Sequence, residues 1–156
     1  MTEERALAAL DEAGLAYRVV RHGPVRSLAE AAEARGVTPD RVVKTLVVRR
    51  ADDDYVFVLV PGGRQIDWPL LRAHLGVSRL SLPDQEEAKE ATGYERGAIT
   101  PFASATTWPV VADATLPDRD VVAIGAGAHG VNLHLAPADL VRLLDADVAD
   151  VTHPAS

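Results

Sequence analysis

The sequence predicts an α+β fold, because its strands come in runs and hairpins while its helices are grouped. Two β-branched runs, at 42–48 and 55–60, flank Asp52-Asp53-Asp54, which is the pattern of an antiparallel hairpin. Three more apolar segments follow one another later in the chain, at 108–112, 120–124 and 131–135. A doubly wound sheet would instead need strands and helices in alternation.

Helices are predicted where apolar residues recur at helical spacing between capping residues. Ser27-Leu-Ala-Glu30 is a capping box, and Gly36 is the matching C-terminal stop. In chain order, helices are expected over 6–13 with Gly14 as the stop, from Ser27 to Gly36, as a turn at 38–40, from Asp67 to Gly76, from Pro83 to about Ala91, and from Pro137 through Leu144. Short strands are expected at 17–20 and just before Pro83. No repeat, low-complexity tract or linker divides the chain, so residues 1–156 are predicted to form a single domain.

The composition excludes several classes of function. The chain of 156 residues, 47% of them hydrophobic, can bury a sizeable core. It has no cysteine, which excludes disulfides, thiolate catalysis and cysteine-based zinc sites. No apolar run approaches the ~20 residues of a membrane helix, and the charged start Met1-Thr-Glu-Glu-Arg5 is unlike a secretory signal. A soluble, cytoplasmic protein with no membrane partner is expected.

Charge is distributed unevenly along the chain. The net charge of −7 argues against broad, non-specific nucleic-acid binding, and a DNA partner is not expected. The segment 17–50, however, carries eight basic and three acidic residues, so it is +5 while the remainder is −12. A local basic face suits a protein that touches only the end of a polyanion. The alternative is that these charges are merely solvated.

Lys44 is the most informative single residue. It stands in Val42-Val43-Lys44-Thr45-Leu46, where a lysine must either extend to water or occupy a site that uses its charge. Two glycine loops follow it in the sequence. Gly97-Ala-Ile-Thr-Pro101 comes after Thr92-Gly93-Tyr94, and Gly125-Ala-Gly-Ala-His-Gly130 comes after an apolar strand. Glycines let a backbone approach a ligand closely, although they can also simply turn the chain.

Other chemistries find little support in the sequence. The 125–130 loop matches G-x-G-x-x-G, but alternating strand residues follow it in place of the helix that a dinucleotide site requires. None of the five histidines lies in a zinc-binding spacing such as H-E-x-x-H, so no metal site is predicted. There is also no G-x-S-x-G elbow for a serine nucleophile.

The chain resembles the YbaK/prolyl-tRNA-synthetase-associated editing-domain family in four features that follow one another in the same order. They are the lysine strand, the G-x-x-x-P loop after Gly-Tyr, the glycine-rich loop and the closing Ala-Asp-Val-Ala-Asp-Val. The resemblance runs from about Tyr17 to Asp150. It implies a curved, mainly antiparallel mixed sheet flanked by helices. It also implies hydrolysis of wrongly charged aminoacyl-tRNA, with neither metal nor organic cofactor.

The resemblance implies a role for each part of the site. Lys44 matches the family's essential lysine and would contact the terminal ribose-phosphate or the carbonyl. The residues expected to form the substrate pocket are Thr45, Gly97, Thr100, Pro101, Gly125, Ala126, Gly127, His129 and Asn132. The tRNA acceptor end would meet the basic segment at Arg18, Arg21 and Arg26.

The chain departs from both family branches that it could be assigned to. The cysteinyl-tRNA branch usually has Gly-Lys-Arg-Gly followed two residues on by an acid, where this chain has Gly127-Ala-His-Gly130 and then Asn132. The alanine-editing branch typically has asparagine where Thr45 stands, and a late histidine whose place His129 could take. Family analogy favours tRNA(Pro) carrying alanine, cysteine, serine or threonine. The alternatives are a non-catalytic module that binds an aminoacyl or nucleotide group, and a subunit that works only on a synthetase.

Overall fold

The structure is a computed structural model that describes residues 3–155; residues 1, 2 and 156 of the predicted domain lie outside the described residues. The helices are α1 (Glu3–Glu12), α2 (Leu28–Arg35), α3 (Trp68–Leu75), α4 (Gln85–Thr92) and α5 (Pro137–Leu144). The strands are β1 (Arg18–Arg21), β2 (Val42–Ala51), β3 (Asp54–Pro61), β4 (Arg64–Ile66), β5 (Val110–Asp113), β6 (Val122–Gly125), β7 (Val131–Leu135), β8 (Asp147–Ala149) and β9 (Thr152–Pro154). Short 3₁₀ turns occupy Pro39–Arg41 and Leu116–Asp118.

The helices begin and end at the predicted capping residues in most cases. The Ser27 hydroxyl accepts from the backbone N–H of Glu30 at 3.1 Å, and the Asp67 carboxylate accepts from that of Leu70 at 3.1 Å. Gly36 closes α2 in the left-handed conformation, with φ 73°. The helix predicted from Pro83 instead begins at Gln85, because the Asp84 carboxylate caps it.

Seven strands form one sheet in the order β1-β7-β6-β2-β3-β5-β8, and β4 and β9 form a second, two-stranded sheet. The β1–β7, β6–β7, β2–β3 and β4–β9 pairs are antiparallel, whereas β2–β6, β3–β5 and β5–β8 are parallel. With three antiparallel and three parallel pairs the main sheet is evenly mixed, which confirms the predicted α+β class with a mixed sheet and the β2–β3 hairpin. The strand predicted before Pro83 is wrong in extent, since it is a single bridge between Ser81 and Arg49.

The main sheet is buried on both faces, which explains why β3 reads as a continuous apolar run. Its alternating residues Phe57 and Leu59 pack with α1 and α5, through Leu10 and Leu140. The opposite face, with Val58, packs against α3 and the 151 region. No described helix has the length and apolar character needed to cross a bilayer.

Candidate active-site cleft

The site arises where two neighbouring strands part. β2 pairs with β6 only at Val42 and Val43. Farther along, Arg49 and Ser81 exchange two backbone hydrogen bonds of 2.8 and 3.1 Å. Between these two points no described strand lies beside β2 on this edge.

The free edge exposes hydrogen-bonding groups of the main chain. The N–H of Gly62 donates to the Val42 carbonyl at 2.7 Å, so the even-numbered residues of β2 face β3 in the antiparallel ladder. Odd-numbered residues face the other way, which directs the backbone groups of Thr45 and Val47 into the gap. The Thr45 hydroxyl oxygen is itself buried and has no hydrogen-bond partner in the described part of the chain. The gap is therefore lined by main-chain groups that pair with no described strand.

The gap forms a cleft of about 840 Å³. Its walls come from the start of α2, from β2, from the segment leading into α4 and from both glycine loops. Of the residues predicted for the site, the cleft brings together Arg26, Lys44, Thr45, Gly97 and Gly125. These positions span one hundred residues of sequence, so the fold brings together residues from distant parts of the chain.

The cleft is positively charged. Four cations line it, namely Arg26, Arg35, Lys44 and Arg96, and none of them forms an ion pair with a described residue. The one carboxylate among the described lining residues is Asp84, which is engaged as the cap of α4. A ligand with negative charge would therefore meet little competition.

Neither Arg35, one of the eight basic residues of the segment 17–50, nor Arg96 was singled out by the sequence as a cleft residue. Arg35 ends α2, and one of its terminal nitrogens donates to the Ala123 carbonyl at 3.2 Å. Its Nε is buried without a partner among the described residues, and burial lowers the pKa of the guanidinium. Arg96 directly precedes Gly97, and that adjacency is the one sequence signal that could have identified it.

A buried hydrogen bond holds the 97–101 loop in position. The Tyr94 hydroxyl, fully buried, donates to the Phe102 carbonyl at 2.6 Å across the base of the loop. Gly97 lies at the exposed tip with φ 85°, a conformation that favours glycine. Thr100 and Pro101 are buried beneath the surface and do not line the cleft, and the Thr100 hydroxyl has no described partner.

The 125–130 loop is a connection between antiparallel strands. It joins β6 to β7, and the N–H of Ala126 donates to the Val131 carbonyl at 3.0 Å. No helix follows it, which agrees with the rejection of a dinucleotide site. Ala126 and Gly127 are buried, and Gly127 has φ 96°. Gly130 must be glycine, since a Cβ there would lie 2.2 Å from the His22 carbonyl oxygen.

His129 and Asn132 have different surroundings. His129 is exposed at the rim, where a Cβ on Gly97 would lie 3.2 Å from its ring and its Nε2 is 3.8 Å from a Glu95 oxygen. Asn132 is buried and pairs across the sheet with Gly125. Its amide donates to His22 Nε2 at 2.7 Å, and the other ring nitrogen of His22 faces a carbonyl oxygen at 2.7 Å. Asn132 therefore supports the cleft wall and does not line the cleft.

The expectation of one basic face over 17–50 is wrong. Arg18 and Arg21 lie on the edge strand β1, which β7 and β6 separate from β2, and Arg21 is paired with Glu3 at 2.7 Å. Arg41 is paired with Asp120 at 2.7 Å. Residues close together in this segment are far apart in the sheet, because the chain leaves β1 and next enters the sheet as β2, three positions away. Of the three arginines predicted to bind tRNA, the cleft includes only Arg26.

Comparison with known proteins agrees with this arrangement. The model of the aminoacyl-tRNA editing domain family matches residues 22–143. The chain is 30% identical over 154 residues to the multifunctional Ser/Thr-tRNA deacylase ProXp-y of Escherichia coli K12, covering 96% of this chain and 92% of that protein. It is 25% identical over 150 residues to the prolyl-tRNA editing protein ProX of Acetoanaerobium sticklandii, covering 93% and 92%.

Solved structures show the same fold. The crystal structure of hypothetical protein APE2540 superposes with a TM-score of 0.87 at 30% identity, covering 96% of this chain and 99% of that one. The family match extends from the end of β1 into α5, so it includes Lys44 and both glycine loops. The chain belongs to the aminoacyl-tRNA editing domain family.

Proposed function

We propose that this protein is a trans-editing aminoacyl-tRNA deacylase that hydrolyses the ester of mischarged tRNA. The observation that carries the proposal is the cleft beside the free edge of β2, where Lys44 lies among three arginines with no ion-pair partner among the described residues. The names of the two relatives, a Ser/Thr-tRNA deacylase and a prolyl-tRNA editing protein, support this reaction. The first name favours serine and threonine as the amino acid, and the second favours prolyl-tRNA editing. We propose tRNA(Pro) carrying a small amino acid as the substrate, with alanine and cysteine added to serine and threonine by family analogy.

Ester hydrolysis needs little from the protein. Water adds to the ester carbonyl, the bond to the ribose oxygen breaks, and the products are a free amino acid and tRNA with its terminal hydroxyl restored. The protein must hold the ester still and stabilise negative charge on the carbonyl oxygen. In this proposal Lys44 supplies the cation at the ribose-phosphate or carbonyl.

The other groups of the cleft orient the substrate. Gly97 and Gly125 allow the RNA end and the acyl group to approach the backbone closely. Thr45 offers an unpaired hydroxyl and main-chain groups, while His129 closes the rim. Thr100, Pro101, Ala126, Gly127 and Asn132 shape the pocket from behind. Arg26, together with Arg35 and Arg96, would bind terminal phosphates, whereas a role for Arg18 and Arg21 would require the RNA to extend over β1.

A non-catalytic binding module would be favoured by a pocket that bulky side chains fill. The cleft is open, at about 840 Å³, and this favours the enzyme. We further propose that residues 1–156 act as one editing domain in the cytoplasm, without a synthetase subunit in the site.

The test is deacylation of tRNA(Pro) charged in turn with alanine, cysteine, serine, threonine and proline. We expect hydrolysis of at least one small non-cognate ester and little hydrolysis of the prolyl ester. Equal rates on all five would contradict editing specificity. The same amino acids on a second tRNA would test the preference for tRNA(Pro).

A further inference from the structure

A second basic depression lies farther along β2. It has a volume of about 430 Å³, and its lining includes Ala51, Asp52 and Leu80 beside four arginines and two serines. We call the arginines and serines the distal arginine cluster: Arg49, Arg50, Arg72, Ser78, Arg79 and Ser81. Residues from the β2–β3 hairpin, from α3 and from the segment after α3 contribute to it. The cluster has no part in the reaction proposed for the cleft.

Two of its four guanidinium groups are available to a ligand. Arg49 is paired with Asp52 and is 3.4 Å from Glu87, and Arg50 is paired with Asp54 at 2.8 Å. Arg72 and Arg79 have no carboxylate partner among the described residues. Guanidinium groups bind phosphate oxygens through paired N–H donors, and the two serine hydroxyls beside them can add further donors.

The cluster and the cleft share one wall. β2 runs from Lys44 in the cleft to Arg49 in the cluster, and the segment 80–83 continues from one to the other. Five residues of a strand span about 17 Å. A stacked nucleic-acid strand rises about 3.4 Å per nucleotide, so this separation corresponds to about five nucleotides. An acceptor end whose last residue lies at Lys44 would therefore bring phosphates about five nucleotides back to the cluster.

We propose that the distal arginine cluster binds the phosphodiester backbone of the tRNA acceptor arm while the aminoacyl end occupies the cleft. This inference rests on the function proposed above. The cluster would make a second contact with the tRNA, at a place that the short 3′ end alone cannot reach. It also explains how a protein with a net charge of −7 holds a polyanion, because the positive charge is concentrated where the RNA passes.

The test compares charge reversals in binding and in hydrolysis. Arg72→Glu and Arg79→Glu are compared with Arg142→Glu, an exposed control on α5 that makes the same change in net charge. Binding of uncharged tRNA is measured at several salt concentrations. We expect each cluster variant to weaken binding about tenfold at low salt and to reduce the slope of log Kd against log salt by about one, with Arg142→Glu close to wild type.

Hydrolysis separates the two proposals. On full-length mischarged tRNA the cluster variants should raise KM with kcat unchanged, and on an aminoacylated CCA trinucleotide they should match the wild-type protein. Equal losses on both substrates, or a Kd no weaker than that of Arg142→Glu, would overturn the cluster proposal. If the wild-type protein hydrolyses neither substrate, the proposed function fails, and the binding of uncharged tRNA still decides the role of the cluster. Because Arg79 is exposed, its reversal keeps the test valid even if Arg72→Glu is poorly folded.

Discussion

Lys44 differs from the other basic residues of β2 in having no carboxylate partner among the described residues. Arg49 and Arg50 on the same strand both pair with carboxylates, whereas Lys44 is exposed in the cleft and pairs with no described residue. Its cross-strand neighbour is Val60. A cation in these surroundings is available to a bound ester or phosphate.

Replacing Lys44 by alanine should lower the single-turnover deacylation rate by at least ~10²-fold with the fold intact, because one preorganised stabilising group typically contributes this much. Lys89, the other lysine of the chain, is an exposed control paired with Glu95 at 3.7 Å. Lys89→Ala should react at the wild-type rate. A Lys44→Ala protein as fast as this control would remove the lysine from the mechanism.

Gly97 can be tested separately from its effect on stability. Gly97→Ala places a Cβ at positive φ and close to the His129 ring, and we expect the rate per folded molecule to fall by roughly 10²-fold. Gly76→Ala is the matched control: its φ is 70°, nothing lies within 4 Å of the new Cβ, and it is outside the cleft. Both variants should lose about 1–2 kcal/mol of stability from the strained backbone.

Thermal midpoints measured beside single-turnover rates distinguish the outcomes. Only Gly97→Ala should lose catalysis beyond its unfolded fraction. A lowered midpoint with a normal rate per folded molecule would make the 97–101 loop purely structural.

The sequence identified residues that break a local pattern and missed those that do not. Lys44 interrupts an apolar run, and Gly97 precedes a stiffening proline, so both could be predicted. Arg35 looks like any helical surface arginine until the fold places it against Ala123, eighty-eight residues away. Local sequence likewise does not show that Arg18 and Arg21 lie on β1, three positions from β2 in the sheet, where neither lines the cleft.

At the scale of elements, the cleft depends on the 97–101 loop being held opposite the free edge of β2. The Tyr94 hydroxyl makes the buried hydrogen bond that ties the loop's two ends together. Thr92 holds the start of this segment to α4, because its hydroxyl donates to the Ala88 carbonyl at 2.8 Å and accepts from the N–H of Tyr94 at 3.1 Å. Removal of the Tyr94 hydroxyl should therefore change the position of the 97–101 loop.

Tyr94→Phe should destabilise the protein by about 1–3 kcal/mol, because the Phe102 carbonyl remains buried without its donor. We also expect a lower kcat, since the loop that carries Gly97 loses its anchor. Tyr17→Phe is the control, because the Tyr17 hydroxyl donates to Asp11 at 2.7 Å on the exposed surface. Urea unfolding and single-turnover kinetics on both variants check the prediction, which an unchanged kcat in Tyr94→Phe would contradict.

Long elements with caps or β-branched runs could be predicted, as could the four-residue strand β1, whereas the three-residue strands could not. The hairpin β2–β3 and the capped helix α2 follow from local sequence. Strands β4, β8 and β9 have three residues each, and they exist through their pairing with distant segments. The free edge of β2 is likewise a property of strand order that no local pattern records.

At the scale of the whole molecule, Asp113 joins the two sheets. This fully buried carboxylate ends β5, accepts from the N–H and hydroxyl of Thr115 at 3.0 and 2.5 Å, and accepts from the N–H of Val151 at 3.2 Å. Burial alone would raise its pKa, but these hydrogen bonds outweigh it and leave the pKa below its usual value of 3.8. Val151 leads into β9, so the carboxylate connects the main sheet to the small one.

The lowered pKa of Asp113 makes the free energy of unfolding depend on pH. The pKa of Asp113 is lower in the folded protein than in the unfolded chain. Its contribution to the free energy of unfolding is therefore complete above the unfolded-state pKa and is lost as the pH falls through the folded-state pKa. Asp113→Asn should cost about 1–3 kcal/mol at neutral pH and should flatten the fall in unfolding free energy below about pH 4. Urea unfolding across this range, with the exposed Asp150→Asn as control, measures it; an acid limb as steep as that of wild type would contradict the assignment.

Binding of tRNA and loss of its ester can be followed in one sample, which tests the proposed deacylase directly. Purified protein in excess is mixed with tRNA(Pro) carrying a small non-cognate amino acid, and the bound fraction and the remaining ester are followed together. We expect the ester to be lost far faster than by spontaneous decay with the wild-type protein, and at close to the spontaneous rate with Lys44→Ala while the tRNA stays bound. Wild-type protein that binds the tRNA while its ester decays at the spontaneous rate would show a binding module and contradict the proposed deacylase.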